Sequence, residues 1–299
     1  MRRIFIPLLL LLLVGCDGTF ISYDVPFEGE RLVINGLIEA NAPVQVSVGR
    51  TWRLEGTIPN YFVENATVEL FENDSLVAQL KHTSKGVYTT PFKAKSRFEY
   101  SCKVTATNFQ VTTTAKTKVP PAFPYVSYNL DKNGYFSLNR GRNEPANVSL
   151  IIRPGVSQDN FYSIKIRPSF QNNALSGGTE MLDFNMNQES NCIFIRRVEV
   201  GSAFYFAGRC LNERSKFLFG TETIGTDMVD LTAFKSKKAT RIVISMRNVS
   251  KEYFDFMKNY NEPQDIERAF VEPAPTFTNV IGGYGLWASF NETQIEIPL

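Results

Sequence analysis

A mainly β fold is predicted for this 299-residue chain: an N-terminal β-sandwich, then a second β-rich domain with one short helix. Three observations predict it. Seven short segments between Arg31 and Val119 alternate apolar and polar residues, Pro120-Pro121 interrupts them, and beyond the prolines alternation resumes with a single helix-period stripe after Ser250. Period two with one apolar face marks half-buried antiparallel strands, whereas helices repeat every 3.6 residues.

The seven segments are Arg31 to Glu39, Pro43 to Trp52, Glu64 to Asn73, Ser75 to Thr83, Gly86 to Thr90, Arg97 to Thr107 and Phe109 to Val119. Val44, Val46 and Val48 alternate with Gln45 and Ser47, and Val68 and Leu70 with Thr67 and Glu69. About seven strands in about ninety residues match an immunoglobulin-like sandwich. Asn73-Asp74-Ser75 supplies turn chemistry between two of them. Two prolines cannot donate to a ladder, so the boundary is placed at Pro120. From there Val148, Leu150 and Ile152 alternate, as do Tyr162, Ile164 and Ile166, then Ile242, Ile244 and Met246. Asn133-Gly134 reads as a hairpin turn joining Tyr125–Leu130 to Tyr135–Leu138. Ser176-Gly177-Gly178 and the stretch from Gly220 to Gly225 read as loops. Tyr253, Phe256, Met257 and Tyr260 form the helical stripe, with Ser250 as N-cap, Glu252 at the positive end of the dipole and Asn261-Glu262-Pro263 as the stop. Such a stripe is expected to pack a helix on a sheet.

The first residues belong to another class. Met1-Arg2-Arg3 precedes an almost wholly apolar run, Ile4 to Val14, closed by Gly15 and Cys16. This is the make-up of a secretory signal, and eleven residues fall short of the roughly 20 that span a bilayer as a permanent helix. Leu13-Val14-Gly15-Cys16 resembles the lipobox of bacterial lipoproteins. The resemblance implies cleavage before Cys16 and acyl chains, palmitate among them, on its sulfur and amine, a durable anchor where one chain would be marginal. On this reading residues 1–15 are the signal peptide, 16–30 the lipidated Cys16 and a tether, 31–120 the sandwich and 121–299 the β-rich C-terminal domain.

Charge and cysteines narrow the partners. The chain has 32 basic and 30 acidic residues, and removing residues 1–15 takes away Arg2 and Arg3 and leaves a balanced mature chain. Nucleic acid is held by clustered Lys and Arg, so no nucleic-acid partner is expected. In an exported protein the remaining Cys102, Cys192 and Cys210 can oxidise. Alternation puts Cys102 on a buried strand face, and a Cys192–Cys210 disulfide is expected, with unpaired core thiols as the alternative.

The tail carries the most distinctive pattern, Glu272-Pro273 followed by Asn279-Val280-Ile281-Gly282-Gly283-Tyr284-Gly285-Leu286-Trp287. With the lipobox and the strand Leu32-Val33-Ile34-Asn35-Gly36, it resembles the Bacteroidetes-type lipoproteins catalogued as domain of unknown function 4249. Val280 and Trp287 stand where that family usually has Ile and Phe. The resemblance implies an outer-membrane lipoprotein often encoded beside TonB-dependent receptors, with a transthyretin-like or carboxypeptidase-regulatory sandwich at its N-terminus. It implies no catalytic residues.

Familiar chemistry finds little to stand on. His82 is the single histidine and is expected at the surface, which excludes two-imidazole zinc sites. No Gly-x-Ser-x-Gly elbow and no Cys-x-x-Cys pair occurs, so neither a metal nor another cofactor is called for. The run Gly282 to Gly285 is expected to be a tight bend where backbone approaches backbone, since strand rather than helix follows it. Tyr284 and Trp287 beside it are candidate ligand-binding rings that would stack on a sugar or peptide. The expected function is accessory or ligand-binding partner of a TonB-dependent transporter, held by an N-terminal lipid anchor. The alternatives are a surface hydrolase of glycans or peptides with paired carboxylates, and a structural or adhesive envelope protein.

Overall fold

The computed structural model of the chain describes residues 27, 29–53, 58–109, 113–131, 147–152, 159–170, 181–185, 193–197, 202–210, 216–220, 239–259 and 277–298. The signal, Cys16, residues 17–26 of the tether, Ser176-Gly177-Gly178, Cys192, Tyr260 and Asn261-Glu262-Pro263 lie outside the described residues.

All seven alternating segments of the first part form strands: β1 (Leu32–Glu39), β2 (Pro43–Arg50), β3 (Thr67–Glu72), β4 (Ser75–Ser84), β5 (Val87–Lys93), β6 (Glu99–Thr105) and β7 (Thr113–Lys118). Their alternate residues enter one interior, where Ile34, Val46, Val48, Val68, Leu70 and Val104 are wholly shielded from water. Burying such side chains contributes about 1.5 to 3 kcal/mol each. Asn73 (φ 46°) and Asp74 (φ 64°) turn β3 into β4, and Lys85 (φ 46°) and Gly86 (φ 70°) turn β4 into β5. Two successive left-handed residues are what a type I′ hairpin requires, and its twist matches that of the flanking strands. β4 bonds to β3 through Ser75–Leu80 and to β5 through Lys81–Ser84, so one strand passes from one layer of the sandwich to the other.

The second part adds β8 (Tyr125–Asp131), β9 (Asn147–Ile152), β10 (Phe161–Phe170), β11 (Met181–Asn185), β12 (Ile193–Arg197), β13 (Ser202–Ala207), a 3-10 turn (Gly208–Cys210), β14 (Lys216–Gly220) and β15 (Ala239–Val249). Helix α1 (Lys251–Asn259), β16 (Val280–Ile281) and β17 (Tyr284–Pro298) follow. Strands β11, β14, β9 and β8 form a small sheet in that order. β8 pairs antiparallel with β9, from Tyr125 opposite Ile152 to Asp131 opposite Asn147. The expected tight partner, 135–138, lies outside the described residues.

The larger sheet runs β12-β13-β10-β15-β17-β1-β2-β5-β4-β3-β6-β7-β16. Its centre is β17. The first half of that strand runs parallel to β1, from Val33 opposite Tyr284 to Glu39 opposite Phe290, and the second half runs antiparallel to β15. β16 pairs with β7 at Ala115 and Thr114. Hydrogen bonds therefore cross the division at Pro120, and the C-terminal tail completes the N-terminal sandwich.

α1 begins as its sequence dictates. The Ser250 hydroxyl accepts from the Tyr253 N–H (3.4 Å) and also from the Ser289 N–H on β17 (3.2 Å), so one cap fixes both the helix start and its place on the sheet. The buried stripe is Tyr253, Phe254 and Met257, with Phe256 half-buried beside it. Phe254 departs from the expected stripe because aromatic neighbours on two strands receive it: its ring lies 4.5 Å from Phe161 and 5.1 Å from Phe194.

Candidate functional site

The parallel pair β1–β17 has two faces with different chemistry. Odd-numbered residues of β17 and even-numbered residues of β1 point into the sandwich. There Trp287 is fully buried, and its indole Nε1 donates to the Tyr100 carbonyl at 3.0 Å. The ring sits over Gly36, where a Cβ would come within 2.3 Å of the indole Cζ3. Gly36 is therefore the notch that admits the tryptophan, and any side chain there displaces it.

The residues before Trp287 close a clasp. Asn279 uses its side-chain amide as a strand uses its backbone: Oδ1 accepts from the Trp287 N–H (2.9 Å) and Nδ2 donates to the Trp287 carbonyl (2.6 Å). The same Nδ2 reaches the Lys116 carbonyl on β7 at 3.2 Å, tying the bend to the opposite layer. Between them Gly282 has φ 80° and Gly285 φ 115°, conformations that residues with a Cβ adopt at a cost. At Gly285 a Cβ would meet the Ile34 carbonyl oxygen at 2.0 Å. This is the expected bend with backbone against backbone. Asn35 completes it by accepting the Leu286 N–H at 3.2 Å. The motif near the start of the sandwich and the motif near the end of the chain form one structural unit.

A buried polar seam continues from the clasp. The Ser289 hydroxyl donates to the Lys118 carbonyl (2.8 Å) and lies 3.1 Å from the Thr117 hydroxyl, which donates to Glu252 of α1 (3.1 Å). Buried hydroxyls with partners cost little and fix geometry. The helix, β7 and β17 are locked in register by these contacts.

The other face is outward. Tyr284 lies there, 40 % exposed, opposite Val33, which in turn lies opposite Gly49. Tyr61 covers Gly49 with its ring edge and stacks on Trp52 at 5.1 Å. α1 covers Leu286, Ala288 and Phe290 of the same face further along.

Of the two rings expected to bind a ligand, the structure removes Trp287. A regular strand alternates, so residues 284 and 287, three apart, emerge on opposite faces. Trp287 is interior and cannot stack on a solute; Tyr284 keeps its exposed position. The clasp role of Asn279 and Gly36 was missing from the sequence reading, although both stood within the quoted motifs.

The remaining candidates carry no assembled chemistry. His82 is exposed, 5.2 Å from the Tyr88 ring, and among the described residues no three His, Cys, Asp or Glu side chains gather to hold a metal. Cys102 is a buried free thiol whose pKa burial pushes up to about 12, the opposite of an activated nucleophile. Burial, then the bond to Glu72, raises the Tyr100 phenol above its ordinary value. Cys210 is fully buried at the end of the 3-10 turn, and its expected partner Cys192 lies outside the described residues. Among the described residues no helix is long and apolar enough to cross a membrane.

A family model described as "Domain of unknown function (DUF4249)" matches residues 19–296. The chain belongs to this family. The match takes in β1 and β17, so both halves of the clasp lie within the matched region. No curated protein matches the chain. Among solved structures it is similar to a protein of Corynebacterium diphtheriae described as membrane-anchored, at 11 % identity and TM-score 0.23, over 76 % of this chain and 55 % of that one. It is also similar to a β-glycosidase from Bacteroides vulgatus, at 14 % identity and TM-score 0.18, over 74 % of this chain and 24 % of that one. The chain thus spans little more than half of the first and a quarter of the second, and neither likeness assigns an activity.

Proposed function

We propose that this DUF4249 protein is an outer-membrane lipoprotein that binds rather than transforms its ligand, as an accessory partner of a TonB-dependent transporter. The observation that carries the reading is the outward face of β1 and β17: Tyr284 is 40 % exposed on strands whose inner face is wholly committed to the fold. The lipobox-like segment ending at Cys16 supports the location. β1 begins sixteen residues after Cys16, a reach of at most about 55 Å, so the sandwich would stay close to the lipid. Co-purification from native membranes in mild detergent tests the partnership: a TonB-dependent transporter is expected in the pull-down, and its absence under several growth conditions would contradict the reading. Labelling with a palmitate analogue tests the anchor, which is wrong if Cys16→Ala leaves labelling and membrane partitioning unchanged.

A Cys192–Cys210 disulfide is part of the same proposal. Ile193 lies opposite Phe206 in the β12–β13 pair, and Phe206 stands four residues before Cys210. Titration of the denatured, unreduced mature protein should find the Cys102 thiol alone; three thiols would remove the bridge.

A further inference from the structure

We propose that the end of the sandwich at which the tether enters is a docking tip that rests in the headgroup layer of a phospholipid leaflet; the inference rests on the lipid anchor proposed above. Hydrogen bonds gather several segments at this end. The Thr51 N–H donates to the Arg31 carbonyl and the Arg50 N–H to the Tyr61 carbonyl, both at 2.9 Å, and the Val48 N–H donates to Gly86 in the β4–β5 turn at 2.8 Å. Gly29 accepts from the Thr51 hydroxyl (3.2 Å) and Asn60 from the Arg50 guanidinium (3.0 Å), which places Phe27 and Ile58 within two residues of the tip. The bend before β17 comes to the same end, since Ile281 lies opposite Thr114 near the start of β7. Of the eight large apolar side chains exposed among the described residues, four stand here: Phe27 (41 %), Ile58 (73 %), Tyr61 (37 %) and Ile281 (73 %). Tyr284 borders them on the outward face of the sheet. Exposed apolar residues gathered in one place mark a surface that something covers.

The two ends of the sandwich differ in chemistry. At the opposite end Lys95 pairs with Glu72 (3.1 Å) and Lys116 with Asp74 (3.0 Å) and Glu99 (3.2 Å), a surface made for water around the exposed Leu76. At the tip cations outnumber anions: Arg31, Arg50, Arg53 and Lys85 stand against Glu64 and against Glu30, which pairs with Arg50 at 2.9 Å. Further in, Lys103 and Glu69 offset each other at 3.8 Å, and Lys81 on the outward face adds to the positive side. Guanidinium groups fork onto lipid phosphates, and an excess of cations favours an anionic leaflet. Trp52 stacks on Tyr61 at 5.1 Å and Tyr61 lies 4.3 Å from Phe62, the amphipathic rings that settle where apolar chains meet headgroups. The tether decides the occupant. Eleven residues from Cys16 to Phe27 span at most about 40 Å, and they join the sandwich at this end, not at the ion-paired one. The tip therefore meets lipid as an intramolecular event, for which weak apolar insertion suffices. So seated, the sandwich stands with its strands upright, and Asn35 and Leu37 of the outward face stay clear of the lipid.

The test uses the full lipidated protein in vesicles of phosphatidylethanolamine and phosphatidylglycerol whose acyl chains carry bromine, which quenches tryptophan on contact. Brominated lipid should remove about half or more of the Trp52 emission, read as the difference between the parent and Trp52→Phe. Trp287, buried inside the sandwich, should keep most of its own. Ile58→Ser combined with Ile281→Ser should lose most of the Trp52 quenching while circular dichroism shows the variant folded, and Leu76→Ser at the far end should leave the quenching unchanged. Unquenched Trp52 in the parent, or quenching indifferent to the isoleucine pair, would overturn the inference. A transporter retained by the parent and lost by the isoleucine pair, with Trp52 unquenched in protein-free vesicles, would give the tip to a protein and overturn it too. Quenching without palmitate labelling would sink the anchor alone; palmitate labelling without quenching would sink this inference alone.

Discussion

The inner and outer faces of the β1–β17 pair are made by the same residues of backbone and do opposite things. Inside, Gly36, Trp287, Gly285 and Asn279 leave no room for change, each fixed by an approach that a single extra atom would break. Outside, Val33, Asn35 and Tyr284 stand at intermediate or exposed positions, with room for a partner. A recognisable motif near a glycine-rich bend invites a functional reading, yet here the motif fastens the chain and leaves Tyr284 outward.

Substitutions can break the contrast at its strongest point first. Gly285→Ala places a Cβ against the Ile34 carbonyl at a positive φ, and urea unfolding should show a loss of about 4 kcal/mol or more, or no folded protein. Trp287→Ala empties the notch above Gly36 and should cost about 3 to 5 kcal/mol in the same assay. Asn279→Ala leaves the Trp287 amide and carbonyl unpaired, for an expected loss of about 1 to 3 kcal/mol.

The interior can be tested by pH as well. An unfolded Cys102 thiol titrates near 9 and the folded one near about 12, so above pH 9 the unfolded state holds fewer protons. Stability from this group is complete below pH 9 and falls as pH rises toward 12, by about 1.4 kcal/mol per pH unit. Chemical denaturation between pH 8 and 10 should show a shallower decline for Cys102→Ala than for the parent; buried tyrosines such as Tyr100, which begin to ionise in the unfolded chain toward pH 10, contribute equally to both. At the small end, Tyr284→Ala should change stability by no more than about 0.5 kcal/mol, because its side chain faces outward. A loss as large as that of Trp287→Ala would erase the distinction between the faces.

Local patterns made the sandwich legible and non-local ones did not. The seven strands declare themselves because a half-buried strand writes its own face into alternate residues, as Val44, Val46 and Val48 do. Asn73-Asp74 marks its turn for the same local reason. Nothing near β1 says that it pairs with β17, since the Asn35–Leu286 contact joins residues 251 apart and a parallel pair has no turn to announce it. The exposure of Trp287 was misjudged although parity alone separates it from Tyr284. Phe254 entered the helix stripe because aromatic rings from β10 and β12 met it there, which helical periodicity cannot foresee. Nothing local to Tyr61 says that its ring lies against Gly49, on the same face as Tyr284.

The chain has two tryptophans, Trp52 and Trp287, so Trp52→Phe leaves a single emitter at the heart of the clasp. Its fluorescence should be blue-shifted and nearly untouched by acrylamide until the protein unfolds, then red-shifted and quenched in the same transition that circular dichroism reports. Red-shifted emission that acrylamide quenches freely in the folded protein would put Trp287 at the surface and contradict the division between a fastening face and a binding face.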